Sequence, residues 1–453
     1  MPTASRLRLA WFSPMPPERS GIAACSAGLV TALGAGHDID VFATEALTGS
    51  SGQVPYRRFS AHDFVWRHAT RPYDLTVYQL GNSSSHEFLW PYLFRYPGLT
   101  VMHDVHLHHA RAAALLRARR APDYRAEFAA NHPDDPPAAA ELAVAGFDSF
   151  LYYLWPMTRL VAEASRLTVV HGARLAELLR EQAPSAAVDA IRLGHGVPVP
   201  DDVERRCRAL VRARYGVADT SILFGCFGGL SPDKRVSQIL SALAALLPYA
   251  PTATLLLGGP AAPHYDLGVE IGNRGLADHV IVTGYLESED DLTACIAACD
   301  ATLNLRWPTA RETSGPWLRA LAAGKPTIVT DLMQLVDVPS LDPRTWVCRA
   351  PGRLPVTVAV DILDEDHSLR LAMRRLATDA ALRRALGNAA RAHWLREHSP
   401  DAMLADYERA LERARSTPAP RRHLPPHLVN DGTRVLEGLL APFGLPSPLS
   451  QTR

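Results

Sequence analysis

Four short stretches of this 453-residue chain carry side chains whose type and spacing could do chemistry. In Phe227–Arg235 (FGGLSPDKR) two glycines precede Lys234 and Arg235, so a phosphate could meet fixed positive charge and the open N–H groups of a helix start. The bland alternative is two solvated cations. In Arg306–Pro326 (RWPTARETSGPWLRALAAGKP) Glu312 could accept hydrogen bonds from substrate hydroxyls, while the N–H groups of Ser314 and Gly315, just past Thr313, could hold an oxyanion or a sugar oxygen. Here the carboxylate precedes the hydroxyls, the reverse of a capping box, which weighs against a purely structural helix start. In PMPPERSGIAACSAGLVTAL, Ser20 and Gly21 open a helix and offer another seat for an anion, or simply a strand–helix turn. In VMHDVHLHH the residues His103, Asp104, His106, His108 and His109 crowd one turn. That donor set suits zinc or iron, but it has no second matching cluster, and a substrate-facing His103 at a strand end is the simpler reading. The acidic triplet Asp364-Glu365-Asp366 reads as an exposed loop.

Such residues need a scaffold that presents them together. Short apolar runs fall at Leu7–Phe12, Ile39–Ala43, Leu75–Gln79, Leu99–His103, Leu167–His171 and Val188–Leu193, each followed by polar residues or glycine, as buried parallel strands are. A second series follows at Ile222–Phe227, Ala253–Leu257, Val280–Thr283, Ala301–Leu305 and Thr327–Thr330. Helix-length segments alternate with them throughout, which predicts α/β architecture with two doubly wound domains and a cleft between them. The expected division is 1–196, a polar Arg-rich linker over 197–219, a second domain over 220–396, a C-terminal helix over 397–416 and a Pro-rich tail over 417–453. Beyond Arg349 the Ala/Leu/Arg-rich segments read as helices without strands, and His132–Ala140 (HPDDPPAAA) reads as an exposed loop. Prolines break the tail, whose one apolar stretch, Thr433–Leu440, is free to dock.

Composition narrows the class. Lys+Arg and Asp+Glu are both 47, and 47% of residues are hydrophobic, so bulk electrostatic binding of nucleic acid is not expected. Six scattered cysteines without a C-x-x-C pair suit a reducing compartment. The N-terminus lacks a secretory apolar core, and no apolar window reaches membrane-spanning length. The expectation is a cytoplasmic protein with at most a peripheral association at the inner face of a membrane. No G-x-S-x-G, P-loop or G-x-G-x-x-G sequence occurs, which weighs against serine hydrolases, P-loop kinases and common dinucleotide oxidoreductases.

Taken in order, SGIA, HD, HGVP, GGLSPDK, TGYL and ETSG–ALAAGKP resemble the retaining glycosyltransferase family 4, over about residues 7–415, in a subset with an ETSG form of the donor-site motif. The resemblance implies the GT-B fold, a nucleotide-sugar donor (UDP or GDP) held mainly by the C-terminal domain, and a glycan, lipid-linked or small-molecule acceptor held mainly by the N-terminal one. It implies transfer with retention, no metal and no further cofactor. Gly21 would then lie beside the donor diphosphate, with Asp104 and Arg235 among the substrate-binding residues, and Lys234 would neutralise the leaving charge. Thr283–Leu286, including Tyr285 and Leu286, would contact the nucleobase. His103 would face the reacting sugar, Glu312 would bind its hydroxyls, and Thr313, Ser314 and Gly315 would line sugar and phosphate. Two positions depart from the family pattern. Arg319 stands where the second glutamate of E-x7-E belongs, which puts Arg311 at the first, and Gly229 replaces the arginine of the G-R-L turn. They motivate an alternative, a noncatalytic GT-B-like sugar-binding subunit. A metal-dependent hydrolase built on the histidine cluster is the third reading.

Overall fold

The computed structural model describes residues 6–44, 55–147, 149–263, 265–429 and 433–446. The chain divides into two compact units: unit 1 comprises 1–191, 310–313 and 404–453, and unit 2 comprises 192–309 and 314–403. The first five residues and the last seven of the expected tail lie outside the described residues.

Unit 1 is built on strands β1 (Arg8–Phe12), β2 (Asp38–Ala43), β3 (Arg57–Ser60), β4 (Leu75–Leu80), β5 (Leu99–Met102), β6 (Leu167–Val170) and β7 (Val188–Ala190), in the order β3-β2-β1-β4-β5-β6-β7. Every pairing is parallel. β4, β5 and β6 are buried along their whole length, which is why they read as unbroken apolar runs rather than as alternation. An aromatic core of Phe12, Phe42, Phe64 and Tyr78 packs on one face of the sheet.

Unit 2 repeats the plan with β8 (Leu223–Phe227), β9 (Thr254–Gly258), β10 (Val280–Gly284), β11 (Ala301–Asn304), β12 (Thr327–Thr330), β13 (Ser340–Leu341) and β14 (Thr357–Val360), in the order β10-β9-β8-β11-β12-β14-β13, again all parallel. In each sheet the order reverses beside its first strand, at β1/β4 and β8/β11, where ligands of doubly wound sheets bind beyond the carboxyl ends. The stretches after β1 and β8, PMPPERSGIA and GGLSPDKR, therefore sit at corresponding points of the two units.

Several segments differ from the expectation. β14 lies in the region expected to hold only helices: its four residues are all buried, and it is an interior strand between β12 and β13. Residues 197–219 contain the helix Asp201–Tyr215, which belongs to unit 2 and packs Val211 against Leu223 and Ile296. The helix Pro400–Ser416 is present, but from Leu404 onward it belongs to unit 1, where buried Tyr407 stacks on Trp11 at 6.1 Å. The Pro-rich tail includes helices Pro426–Val429 and Thr433–Leu440. Residues 133–138 are exposed as the loop reading required, although a helix begins at Ala138.

Candidate active site

In unit 2 the turn after β8 is held by contact of backbone with a charged side chain. Lys234 ends the short 3-10 turn Pro232–Lys234 and folds back so that its Nζ donates to the carbonyl of Phe227 at 2.6 Å. Gly228 has φ +98°, and a Cβ built there would stand 2.8 Å from Lys234 Nζ and 3.5 Å from Pro316 Cγ. The left-handed φ favours glycine here, and any side chain would push the ammonium from its place beside the start of the helix Gly315–Ala322. At Gly229 the same construction meets nothing within 4 Å, so the turn is open where the family carries arginine. Asp233 pairs with Arg306; burial pushes its carboxyl up, but the guanidinium beside it holds it below the usual range.

Arg235 does not stand ready for an anion as expected. It occupies a left-handed position (φ +60°) at the head of the helix Val236–Leu246 and forks onto Glu365, with Nε 2.9 and 3.0 Å from the two carboxylate oxygens. Glu365, expected in an exposed acidic loop, is buried as the partner of this pair.

Ser314 is the N-cap of the helix Gly315–Ala322, its Oγ accepting from Trp317 N at 3.3 Å. The motif thus caps a helix without forming a capping box, and Pro316 contributes no N–H. A Cβ on Gly315 would lie 3.1 Å from His195 Cδ2, so His195 closes over the same helix start. His195 Nε2 accepts from Arg319 Nε at 3.0 Å. Because guanidinium only donates, the imidazole proton must sit on Nδ1; burial and this neighbouring cation push the His195 pKa down to about 3. Arg319 also pairs with Glu289 at 2.5 Å. The position that departs from the family pattern therefore carries an ion pair and a neutral imidazole of fixed tautomer. His195 lies in the HGVP motif, which the sequence offers without singling out the imidazole. Leu286 lies 3.4 Å from a Cβ built on Gly258, beside Phe227, and Tyr285 is exposed next to it.

In unit 1 the carboxyl ends of β4 and β5 gather Gly81, Asn82, His103 and Asp104. Asp104 Oδ2 accepts from Asn82 N at 2.6 Å, and a Cβ on Gly81 would collide with Ile22 Cδ1 at 2.6 Å and approach Asp104 at 3.2 Å. That close approach brings the helix Gly21–Leu33 to the same place. Its N-cap, Ser20, accepts from Ala23 N. His103 has both ring nitrogens engaged: Nε2 with Gln79 Oε1 at 2.7 Å and Nδ1 with His171 Nε2 at 3.1 Å. Turning the Gln79 amide would change donor for acceptor but leave both nitrogens occupied. Burial, then the neighbouring imidazoles of His171 and His86, holds His103 well below the ordinary histidine range. Thr313 and Glu312 belong to this unit too; Thr313 Oγ1 donates to the His171 carbonyl at 3.3 Å, and Glu312 is half-buried.

The remaining histidines turn to separate partners: His108 Nε2 to Tyr124 Oη at 2.7 Å, His109 to Asn82, and His106 against the Tyr153 ring. Among the described residues no three of His, Cys, Asp or Glu come together as a group that could hold a metal, so the density of the motif does not become a ligand set. The site residues thus form two groups. Lys234, Leu286, Ser314 and Gly315 lie in unit 2; Gly21, His103, Asp104, Glu312 and Thr313 lie in unit 1.

Residues 221–351 match the family of group 1 glycosyl transferases. No curated protein matches the sequence. Among solved structures, HepE of Anabaena in complex with UDP-glucose is 14% identical with TM-score 0.62, covering 90% of this chain and all of its own. WaaG, a glycosyltransferase involved in lipopolysaccharide biosynthesis, is 15% identical with TM-score 0.60, covering 90% of this chain and 99% of its own. The catalytic domain of starch synthase IV from Arabidopsis thaliana, bound to ADP and acarbose, is 15% identical with TM-score 0.60, covering 91% of this chain and all of its own. At such identities these structures speak for the fold alone. No helix among the described residues is long and apolar enough to cross a membrane. Residues 221–351 thus resemble group 1 glycosyl transferases, and the two parallel seven-stranded sheets share the GT-B fold of these solved structures.

Proposed function

We propose that this enzyme transfers a hexose from UDP or GDP to a glycan, lipid-linked or small-molecule acceptor at the cytoplasmic side of the cell. The observation that carries the reading is Lys234 folded over Gly228 beside the capped helix start at Ser314–Gly315. Breaking a glycosyl–phosphate bond puts negative charge on the departing diphosphate, and a preorganised ammonium with backbone N–H groups lowers that barrier. The acceptor hydroxyl attacks from the leaving-group face, forming the new C–O bond as the old one breaks, and its proton passes to a phosphate oxygen. No protein carboxylate pair of the glycosidase kind is needed. Thr283–Leu286 would contact the nucleobase, and Glu312 would hold sugar hydroxyls with Thr313 at its side. Gly21 would approach the diphosphate, with Asp104 among the substrate contacts. Since the His103 ring is engaged on both nitrogens, it serves as a rigid neutral support for the sugar site. Arg235, held by Glu365, braces the Lys234 turn. HepE and starch synthase IV were solved with UDP-glucose and with ADP, ligands of the class proposed here.

Calorimetric titration of UDP, GDP, ADP and TDP, with and without chelator, tests the reading. Micromolar binding of one nucleotide, unaffected by chelator and lost in Lys234→Ala, is the expected result. Binding of none would leave the noncatalytic subunit as the better reading, to which Arg319 already lends an observation, since its guanidinium stands where a carboxylate would grip the donor.

A further inference from the structure

The segment that leads into the C-terminal helix is fastened to unit 1. Leu424 and Leu428 pack against its core, and His427 sits between Glu127 (2.8 Å) and Asp123 (3.4 Å), with Glu127 also paired to buried Arg111. The helix Thr433–Leu440 and the turn Ala441–Phe443 then place Val435, Leu439 and Phe443 at i, i+4 and i+8, with Leu436 and Leu440 alongside. That spacing makes one apolar face, yet Leu439 is 65% and Phe443 is 76% exposed.

We infer that this helix docks unit 1 onto an anionic lipid surface, so that the acceptor is one carried by that surface. Three observations favour a lipid occupant. The helix is about 12 Å long, too short to cross a bilayer but suited to lying in its interface. Its handful of apolar side chains falls well short of the roughly 20–30 residues a side of a stable protein interface, whereas a bilayer needs no shape complementarity. From Thr417 onward a chain that is neutral overall carries four arginines against two carboxylates, and Arg421, Arg422 and His423 are exposed just before the fastened segment. The same unit exposes a second apolar rim, Phe147, Phe150 and Leu154. Within that rim Tyr152 and Tyr153 pack on His108 and His109 at 4.6 and 4.7 Å, continuous with the histidine turn that follows β5.

Docking as such is independent of catalysis; the statement about the acceptor rests on the proposed glycosyl transfer. The test is co-sedimentation of the full chain with vesicles of phosphatidylcholine alone or mixed with phosphatidylglycerol, with nucleotide calorimetry on the same samples. Binding to the mixed vesicles at least tenfold tighter than to phosphatidylcholine, and lost in Leu439→Glu/Phe443→Glu with nucleotide binding unchanged, is expected. Equal binding by that variant, or none by the parent chain, overturns the inference. So does sedimentation equilibrium in which the parent chain is a dimer and the variant a monomer, because a second copy would then be the occupant. Vesicle binding without any nucleotide binding would uphold docking and remove the transferase reading instead.

Discussion

The carboxyl ends of the two sheets are furnished with different balances of charge. Beyond β8 and β11 in unit 2 the groups are charged and paired: Lys234 on a carbonyl, Asp233 with Arg306, Arg235 with Glu365, Arg319 with Glu289. Beyond β4 and β5 in unit 1 the carboxylate of Asp104 stands among imidazoles that burial keeps neutral, His103 linked to Gln79 and His171, and His108 to Tyr124. One framework thus serves two tasks. Fixed charge suits a diphosphate whose charge grows during reaction, while neutral rings suit hydroxyl groups that must be oriented without being ionised.

The sharpest way to break this contrast is to remove the one ammonium. Lys234→Ala is expected to cost about 2–4 kcal/mol of transition-state stabilisation, by analogy with loss of a single oxyanion donor, read as a fall in kcat/KM for donor turnover of roughly thirtyfold to nearly a thousandfold.

Acid should break it from the other side. Burial pushes His106 and His108 down to about 3 in the folded chain, against about 6.5 when unfolded. Between those values the unfolded chain binds protons that the folded chain refuses. Stability is therefore complete above about pH 6.5 and falls as pH drops toward 3, by about 2 kcal/mol per histidine at pH 5. Hydrogen exchange at pH 7 and pH 5 should show unit 1 losing protection first. Equal loss in both units would contradict the contrast.

Arg319→Glu asks whether the family residue is interchangeable here. It would set a carboxylate against Glu289 and give His195 Nε2 an acceptor instead of a donor, moving the imidazole proton to Nε2. Nucleoside diphosphate binding about tenfold weaker, near 1.4 kcal/mol, is expected by calorimetry, where restored family behaviour would strengthen it.

The smallest effect sharpens the comparison. Ser20→Ala and Ser314→Ala each remove one N-cap, worth about 1 kcal/mol in thermal unfolding. Only Ser314→Ala should also raise KM for the donor.

Much of this was legible in the sequence. The buried central strands announce themselves as apolar runs, and the turn that carries Lys234 is marked by two glycines at the end of one of them. β3 escaped because Arg57-Arg58-Phe59-Ser60 forms a half-exposed edge strand beside β2, and β14 because Thr357-Val358-Ala359-Val360 is a short run just ahead of an acidic helix start. Long-range pairings were invisible: nothing in the spacing of Arg235 and Glu365, 130 residues apart, says that one holds the other. The partners of the histidine cluster were hidden for a related reason, since proximity along the chain does not decide which way each ring turns.

The membership of Leu404–Ser416 in unit 1 bears on how the protein is made. Trp11, on β1, is stacked by Tyr407, and His37 meets Glu408 at 2.9 Å. About 210 residues separate the end of the first segment of unit 1 from this helix. At about 5–20 residues per second a ribosome needs roughly 10–40 s to supply it. Throughout that interval the first unit lacks the helix whose Tyr407 stacks on Trp11, so its sheet is completed only by a distant part of the chain.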